Sequence, residues 1–343
     1  MSDLVLLLLL LLLLLSPPPS SLRLPSSSQD DAGATVVKVC LDARSHGTST
    51  LVSPALAPFQ GPALLVHNDS VFAEADFVSI SRVGDSVKRT QVGKTGRFGV
   101  GFNSVYHLTD VPSFVSGRHV VFFDPHACHL PNADAANPGK RVDFVGGGGD
   151  VTRTHADQFA PFIAFGCDAR TEYRGTTFRF PLRTAKQAAV SKLSKASYDV
   201  ASVRKLLADF AGEKTLDLLY LKSVERIDVL EWRPGAMEPE VIASTRVMNA
   251  SDELRRHRAA FSRASAAMAA GGAVEPPSTF TLEFTSTGVG AKRGEDVRTF
   301  FVSQACGVDL KPLVKSGREK FGMKLVPWAA VAAELTPREE EEE

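Results

Sequence analysis

Apolar and polar positions along the chain predict a protein that mixes strands and helices. Thr35 to Val39 is the first run rich in β-branched residues, and Ala63 to Val66 is wholly apolar, as a strand buried on both faces should be. Between them Arg44 to Gln60 reads as a loop rich in Ser, Pro and Gly. Residues 73 to 80 suit a short helix. Gly84 to Gly101 is punctuated by glycine, and Phe102 to Leu108 reads as the helix it opens onto. Val120 to Phe123 is a further strand, and 131 to 150 read as a loop with Gly146 to Gly149 as its flexible part. Phe178 to Arg183 alternates in the manner of a strand with one solvated face. Val203, Leu206, Leu207 and Phe210 fall on one stripe of a helix spanning Asp199 to Phe210. After that the pattern predicts strands at Leu218–Lys222, Ile227–Trp232, Val241–Val247, Phe280–Phe284 and Thr299–Ser303, with a helix over Asp252–Ala270.

Composition narrows the function classes. The 343 residues carry 39 basic and 39 acidic side chains, so the net charge is zero. A dedicated nucleic-acid binder usually has a basic surplus, and none is present. The four cysteines are scattered without a C-x-x-C pair, which is neither a zinc framework nor a disulfide scaffold and suits a reducing compartment. Leu4 to Leu15 is apolar, but it is too short for a membrane span, which needs roughly twenty residues. With Asp3 before it and no basic flank, it reads as a low-complexity start on a cytoplasmic chain; the alternative is a signal peptide and a secreted one.

The run Gly93-Lys94-Thr95-Gly96-Arg97-Phe98-Gly99-Val100-Gly101-Phe102-Asn103-Ser104 carries the most chemistry. Gly96, Gly99 and Gly101 allow a backbone to approach an anion closely, and free amides at a helix start favour phosphate. No Gly-Lys-Ser/Thr ends the loop, so it is not a Walker A loop, and no tight βαβ unit makes it a Rossmann fingerprint. Together with Asp31-Ala32-Gly33-Ala34-Thr35, Asn68-Asp69-Ser70-Val71-Phe72, Thr109-Asp110-Val111-Pro112, Asp124-Pro125-His126 and Gly175-Thr176, this run resembles the sacsin-type repeat domain. That family is related to the ninety-kilodalton heat-shock chaperone within the GHKL ATPases.

The resemblance implies an α+β, Bergerat-type two-layer sandwich, a mixed sheet with helices on one face, followed by a smaller α+β domain. It sets the organisation as a low-complexity segment at 1–29, a nucleotide-binding domain at 30–190, a C-terminal domain at 191–335 and an acidic tail at 336–343. It also implies an ATP site. Asp69 would accept from the adenine amino group, Thr176 would hold adenine through its hydroxyl and an ordered water, and Asp31 belongs to the same pocket. Gly96, Arg97, Phe98, Gly99, Val100, Gly101 and Phe102 would form the lid over the phosphates. Chaperones of the seventy-kilodalton class and client proteins are the implied partners, with no nucleic acid and no membrane. The sequence contains no His-Pro-Asp tripeptide, the mark of the J-domain through which that chaperone is engaged.

One box departs from the family. Where its first helix carries the Glu that polarises water and the Asn that holds magnesium, this sequence has Leu24 and Ser28, with Pro25 between them to break a helix. The expectation is therefore a co-chaperone module with impaired hydrolysis, a truncated version of an active domain. The alternative is a non-catalytic scaffold that has lost the nucleotide. His126-Ala127-Cys128-His129 has no second ligand pair at a zinc-like spacing and reads as a surface loop. Arg255, Arg256, Arg258 and Arg263 read as the solvated face of an amphipathic helix.

Overall fold

The computed structural model describes residues 34–83, 104–134, 136–146, 151–219, 221, 223–260, 263, 277–288, 296–306 and 328–335. Its strands are β1 Val36–Asp42, β2 Ala63–Asn68, β3 Ser113–Gly117, β4 His119–Phe123, β5 Gly139–Asp143, β6 Tyr173–Pro181, β7 Arg226–Trp232, β8 Glu240–Val247, β9 Ser278–Gly288, β10 Asp296–Cys306 and β11 Trp328–Glu334. The helices are α1 Glu74–Val83, α2 Val151–Thr154, α3 Ala156–Phe159, α4 Ala185–Val190, α5 Val200–Leu218 and α6 Asp252–Arg258, with 3-10 turns at Pro54–Phe59, Ser104–His107 and Ala160–Phe162. The protein is thus mixed α and β, dominated by its sheet. Among the described residues no helix is long and apolar enough to cross a membrane.

All eleven strands form one sheet, ordered β11-β10-β9-β8-β7-β1-β2-β6-β3-β4-β5. It is mixed because β1 runs parallel to β7, with Val36 opposite Arg226 and Asp42 opposite Trp232. Strands from both sides of residue 190 therefore join in a single sheet, where a second, smaller α+β unit was expected.

Alternation along the strands sorts side chains onto two faces. Val37, Val39 and Leu41 of β1, Leu64 and Val66 of β2, and Phe178 and Phe180 of β6 pack on one face with Phe77 of α1, with Val203, Leu207, Phe210 and Ala211 of α5, and with Leu254 of α6. On the other face Val115, Val120 and Phe122 meet Leu56, Phe59, Phe159 and Phe162. Nearby on that face Cys40, Leu65, Leu230 and Trp232 pack around Ala164.

Local signals set the helix ends. Thr184 and Gln187 form a capping box on α4: the Gln187 N–H donates to the Thr184 hydroxyl at 3.3 Å, and the Thr184 N–H donates to Gln187 Oε1 at 2.8 Å. Ser251 caps α6 by accepting from Leu254 N at 3.1 Å.

Three sequence expectations are corrected. Residues 131–150 contain β5, an exposed edge strand whose sequence Gly-Lys-Arg-Val-Asp has little apolar periodicity to reveal it. Leu218 does not begin a strand; it is the last residue of α5, which runs eight residues beyond Phe210. Arg258 does not sit on a solvated face. It is buried, and its Nη2 donates to the carbonyls of Leu218, Leu221 and Val224 at 2.6–3.2 Å, satisfying acceptors at and just beyond the end of α5.

Candidate functional site

The site implied for adenine falls where β2 and β6 end side by side. Asn68 lies opposite Thr176 in their antiparallel register. Asn68 Oδ1 accepts from Ser70 N at 2.9 Å, an Asx turn that swings the chain away and leaves Asp69 exposed. The Asp69 carboxylate is fixed from the other side. Its Oδ1 accepts from Thr35 N at 2.8 Å and Val36 N at 3.0 Å, and its Oδ2 accepts from the Thr35 hydroxyl at 2.6 Å. Asp69 therefore pins the start of β1 to the end of β2. A carboxylate offers about four acceptor positions, so one on Oδ2 remains open.

Thr176 is fully buried. Its hydroxyl donates to Ser70 O at 2.8 Å, so in its 2.7 Å contact with Ser116 it must accept. Ser116 Oγ in turn accepts from Phe72 N at 2.9 Å. The direction of every proton in the chain Phe72–Ser116–Thr176–Ser70 follows, because a hydroxyl has a single hydrogen to give. The chain clamps residues 70–72 across β3 and β6 and aims them into α1. Gly175 explains the neighbouring position: a Cβ there would lie 2.8 Å from Asn68 O and 2.9 Å from the His67 ring, so only glycine lets the strand ends approach this closely.

Of the other expected site residues, Asp31 and Gly96 through Phe102 lie outside the described residues. The segment that follows Phe102 and Asn103 is anchored firmly. Val105 and Leu108 of the 3-10 turn region are fully buried. Arg183, also fully buried, donates to Asp110 Oδ1 at 2.7 and 3.1 Å and to His107 O at 2.8 Å. Ser191 Oγ donates to the same Asp110 oxygen at 2.7 Å. Burial alone would raise the Asp110 pKa, but the hydrogen bonds from Arg183 and Ser191 outweigh it and hold the carboxyl below its ordinary range.

Behind Asn68, on the opposite face of the sheet, His67 Nδ1 lies 2.7 Å from the Tyr173 hydroxyl and stacks on Phe165 with ring centroids 5.1 Å apart. Burial, helped by the charge of Lys38, lowers its pKa to about 4, so the ring is neutral at physiological pH.

Sequence reasoning singled out Asp69 and Thr176, and the sheet brings them together. It missed Thr35 and Ser116 as their supports, and Arg183 as the anchor of Asp110. Each is contributed from more than thirty residues away along the chain or by a strand without strong apolar periodicity, so no local spacing marks it.

The profile of the Sacsin domain matches residues 28–244. Human sacsin is 39% identical over 218 residues, which is 57% of this chain and 5% of that protein, so the chain corresponds to a small part of that relative's length. A solved N-terminal domain of a DNA repair protein covers 80% of this chain and 63% of its own, at 10% identity and a TM-score of 0.30, a likeness too slight to bear on the fold. With the family profile spanning well over half its length, the chain belongs to the Sacsin domain family.

Proposed function

We propose that this chain is a sacsin-type module of protein quality control that holds an adenine nucleotide at the joined ends of β2 and β6 and hydrolyses it poorly or not at all. The observation that supports this reading is Asp69: an exposed carboxylate, held rigid by three hydrogen bonds, standing between Asn68, which lies opposite Thr176, and Ser70, which accepts from it. A preorganised acceptor of this kind loses little freedom when it takes a hydrogen bond from an exocyclic amino group. Thr176 fits less directly. Its single proton is committed to Ser70 O, so it would shape the floor of the site and could accept from a water but not donate to one. ATP would bring its phosphates under the glycine run Gly96–Phe102, and magnesium would accompany them. Poor hydrolysis follows from Leu24 and Ser28, which offer neither a base nor an amide oxygen where the family has both. Cytoplasmic location, and partnership with seventy-kilodalton chaperones and their clients, belong to the same proposal and rest on family membership.

A second reading has an observation in its favour. The Asp69 carboxylate already joins β1 to β2, and the Thr176 hydroxyl is already satisfied, so both residues have structural employment without a ligand. A scaffold that keeps the fold without the nucleotide would retain them for this reason. Titration of labelled ATP and adenosine against the full chain separates the two. Saturable binding that competes with unlabelled ATP supports the nucleotide site, and its absence from a folded chain establishes the scaffold. Phosphate release above background would refute impaired hydrolysis.

A further inference from the structure

The loop after β4 holds chemistry that neither the proposed nucleotide site nor the packing uses. β4 delivers Asp124 into the interior, where it is fully buried. Its Oδ2 accepts from His129 N at 2.6 Å and Leu130 N at 2.9 Å, folding residues 124–130 back on themselves. Ala127 takes φ of +51°, a left-handed turn that a side chain rarely adopts, and it reverses the chain just before Cys128 and His129. One carboxylate oxygen of Asp124, Cys128 Sγ and a ring nitrogen of His129 thereby come within 4.8 Å of one another. Asp124 Oδ1 is buried with no hydrogen-bond partner among the described residues. An orphaned oxygen on a buried carboxylate is a costly arrangement that native structures seldom leave unanswered.

We infer that Asp124, Cys128 and His129 form a zinc site in this loop, with the fourth position open to water. Carboxylate, thiolate and imidazole together suit a borderline-soft, tetrahedral ion, whereas magnesium and calcium prefer oxygen alone. Tetrahedral bonds of roughly 2.1 Å place ligand atoms about 3.4 Å apart, so the three need close by little more than 1 Å. Cys128 is exposed and free to turn its thiol inward. The His129 ring is braced edge-on against Phe59, with centroids 4.9 Å apart, and so has a defined direction. His126 stands apart from the ligand set, with its Nε2 3.6 Å from Asp110 Oδ1. Zinc takes cysteine as the thiolate, so binding releases the Cys128 proton to solvent.

The probe is Co²⁺ added to the metal-free full chain, followed by Zn²⁺ to displace it. The expected result is a sulfur-to-cobalt charge-transfer band with the visible bands of tetrahedral cobalt, saturating at one ion per chain and erased by zinc. Cys128→Ser should abolish the charge-transfer band, and because Cys128 is exposed its circular dichroism should match that of the parent. His129→Gln should weaken Zn²⁺ binding by at least about a hundredfold, the upper end of what losing even a partner behind a ligand costs. Asp124→Asn also disturbs the turn, so its reading counts only where its melting curve stays cooperative. No charge-transfer band in the parent, or a band that survives in Cys128→Ser or is undiminished in His129→Gln, overturns the site.

Discussion

Asp69→Asn separates the two functions assigned to one carboxylate. The asparagine carbonyl can take the place of Oδ1 and keep both backbone donors, Thr35 N and Val36 N. Its amide nitrogen then replaces Oδ2 opposite the Thr35 hydroxyl, which can rotate from donor to acceptor. The charge assistance is lost and the bond count is kept, so the stability loss should be about 1 kcal/mol, near the low end for hydrogen bonds because the site is exposed. In a domain of this size that lowers the melting temperature by about 2–4 °C. The ligand side is harsher. Adenine presents a donor, asparagine answers with a donor, and a charge-assisted bond worth roughly 1.5–3 kcal/mol becomes a repulsion, so ATP affinity should fall more than about tenfold. Thr35→Val is the control: it removes the hydroxyl donor to Oδ2, costs about 1 kcal/mol of stability and leaves the ligand-facing oxygen freer. Calorimetric titration of ATP into parent and both variants, with melting curves on the same samples, gives both readouts. Unchanged ATP affinity in folded Asp69→Asn would refute the adenine contact. Equal losses in Asp69→Asn and Thr35→Val would trace the effect to a loosened strand end.

Three further outcomes follow from the packing. His67 has a folded pKa of about 4 against an ordinary 6.5, so the unfolded chain binds its proton first; stability is full above pH 6.5 and falls by up to about 3 kcal/mol on the way down to pH 4, and urea melts across that range should lose this component in His67→Gln. Asp110→Ala leaves the fully buried Arg183 without its counter-charge and should cost about 3–5 kcal/mol by urea melts; a loss under about 1 kcal/mol would show that the backbone carbonyls alone satisfy the guanidinium. Gly175→Ala drives a methyl group into the Asn68 carbonyl and should destabilise by about 1–3 kcal/mol, with a marginal effect showing that β2 and β6 can part without penalty.

The readable parts of the fold were those with strong one-dimensional signals. Ala63 to Val66 of β2 is wholly apolar, and the stripe of Val203, Leu207 and Phe210 shows α5 directly, because these residues bury against the core. β3 has no clear sequence signal, because Ser113, Ser116 and Gly117 leave only Phe114 and Val115 apolar. All are buried in the structure or serve the sheet, Ser116 by relaying a hydrogen bond between Phe72 and Thr176. β5 and β11 lie at the two edges of the sheet, where one side of each strand has no neighbour among the described residues and patterning is weak. At the site, the family resemblance pointed to Asp69 and Thr176. The carboxylate's ties to Thr35 and Val36 were not legible, because they depend on β1 and β2 lying antiparallel. Cys128 and His129 read as part of a surface loop for want of a second ligand pair; their third partner, Asp124, belongs to a strand end and joins them only through a left-handed turn at Ala127.

The parallel pair at the centre of the sheet has a consequence for synthesis. β1 leaves the ribosome before its neighbours in the sheet, and β2 can cover one of its edges soon afterwards. Its other edge must wait for β7, whose first residue, Arg226, pairs with Val36 about 190 residues earlier in the chain. At 5–20 residues per second that wait is roughly 10–40 s. Throughout it, Val37, Val39 and Leu41 stand beside an unfilled row of amides and carbonyls, and the α5 stripe that will cover them is itself only just emerging. Nascent chains stalled between α4 and β7 should accordingly be the species that chaperones capture and that aggregate when chaperones are scarce.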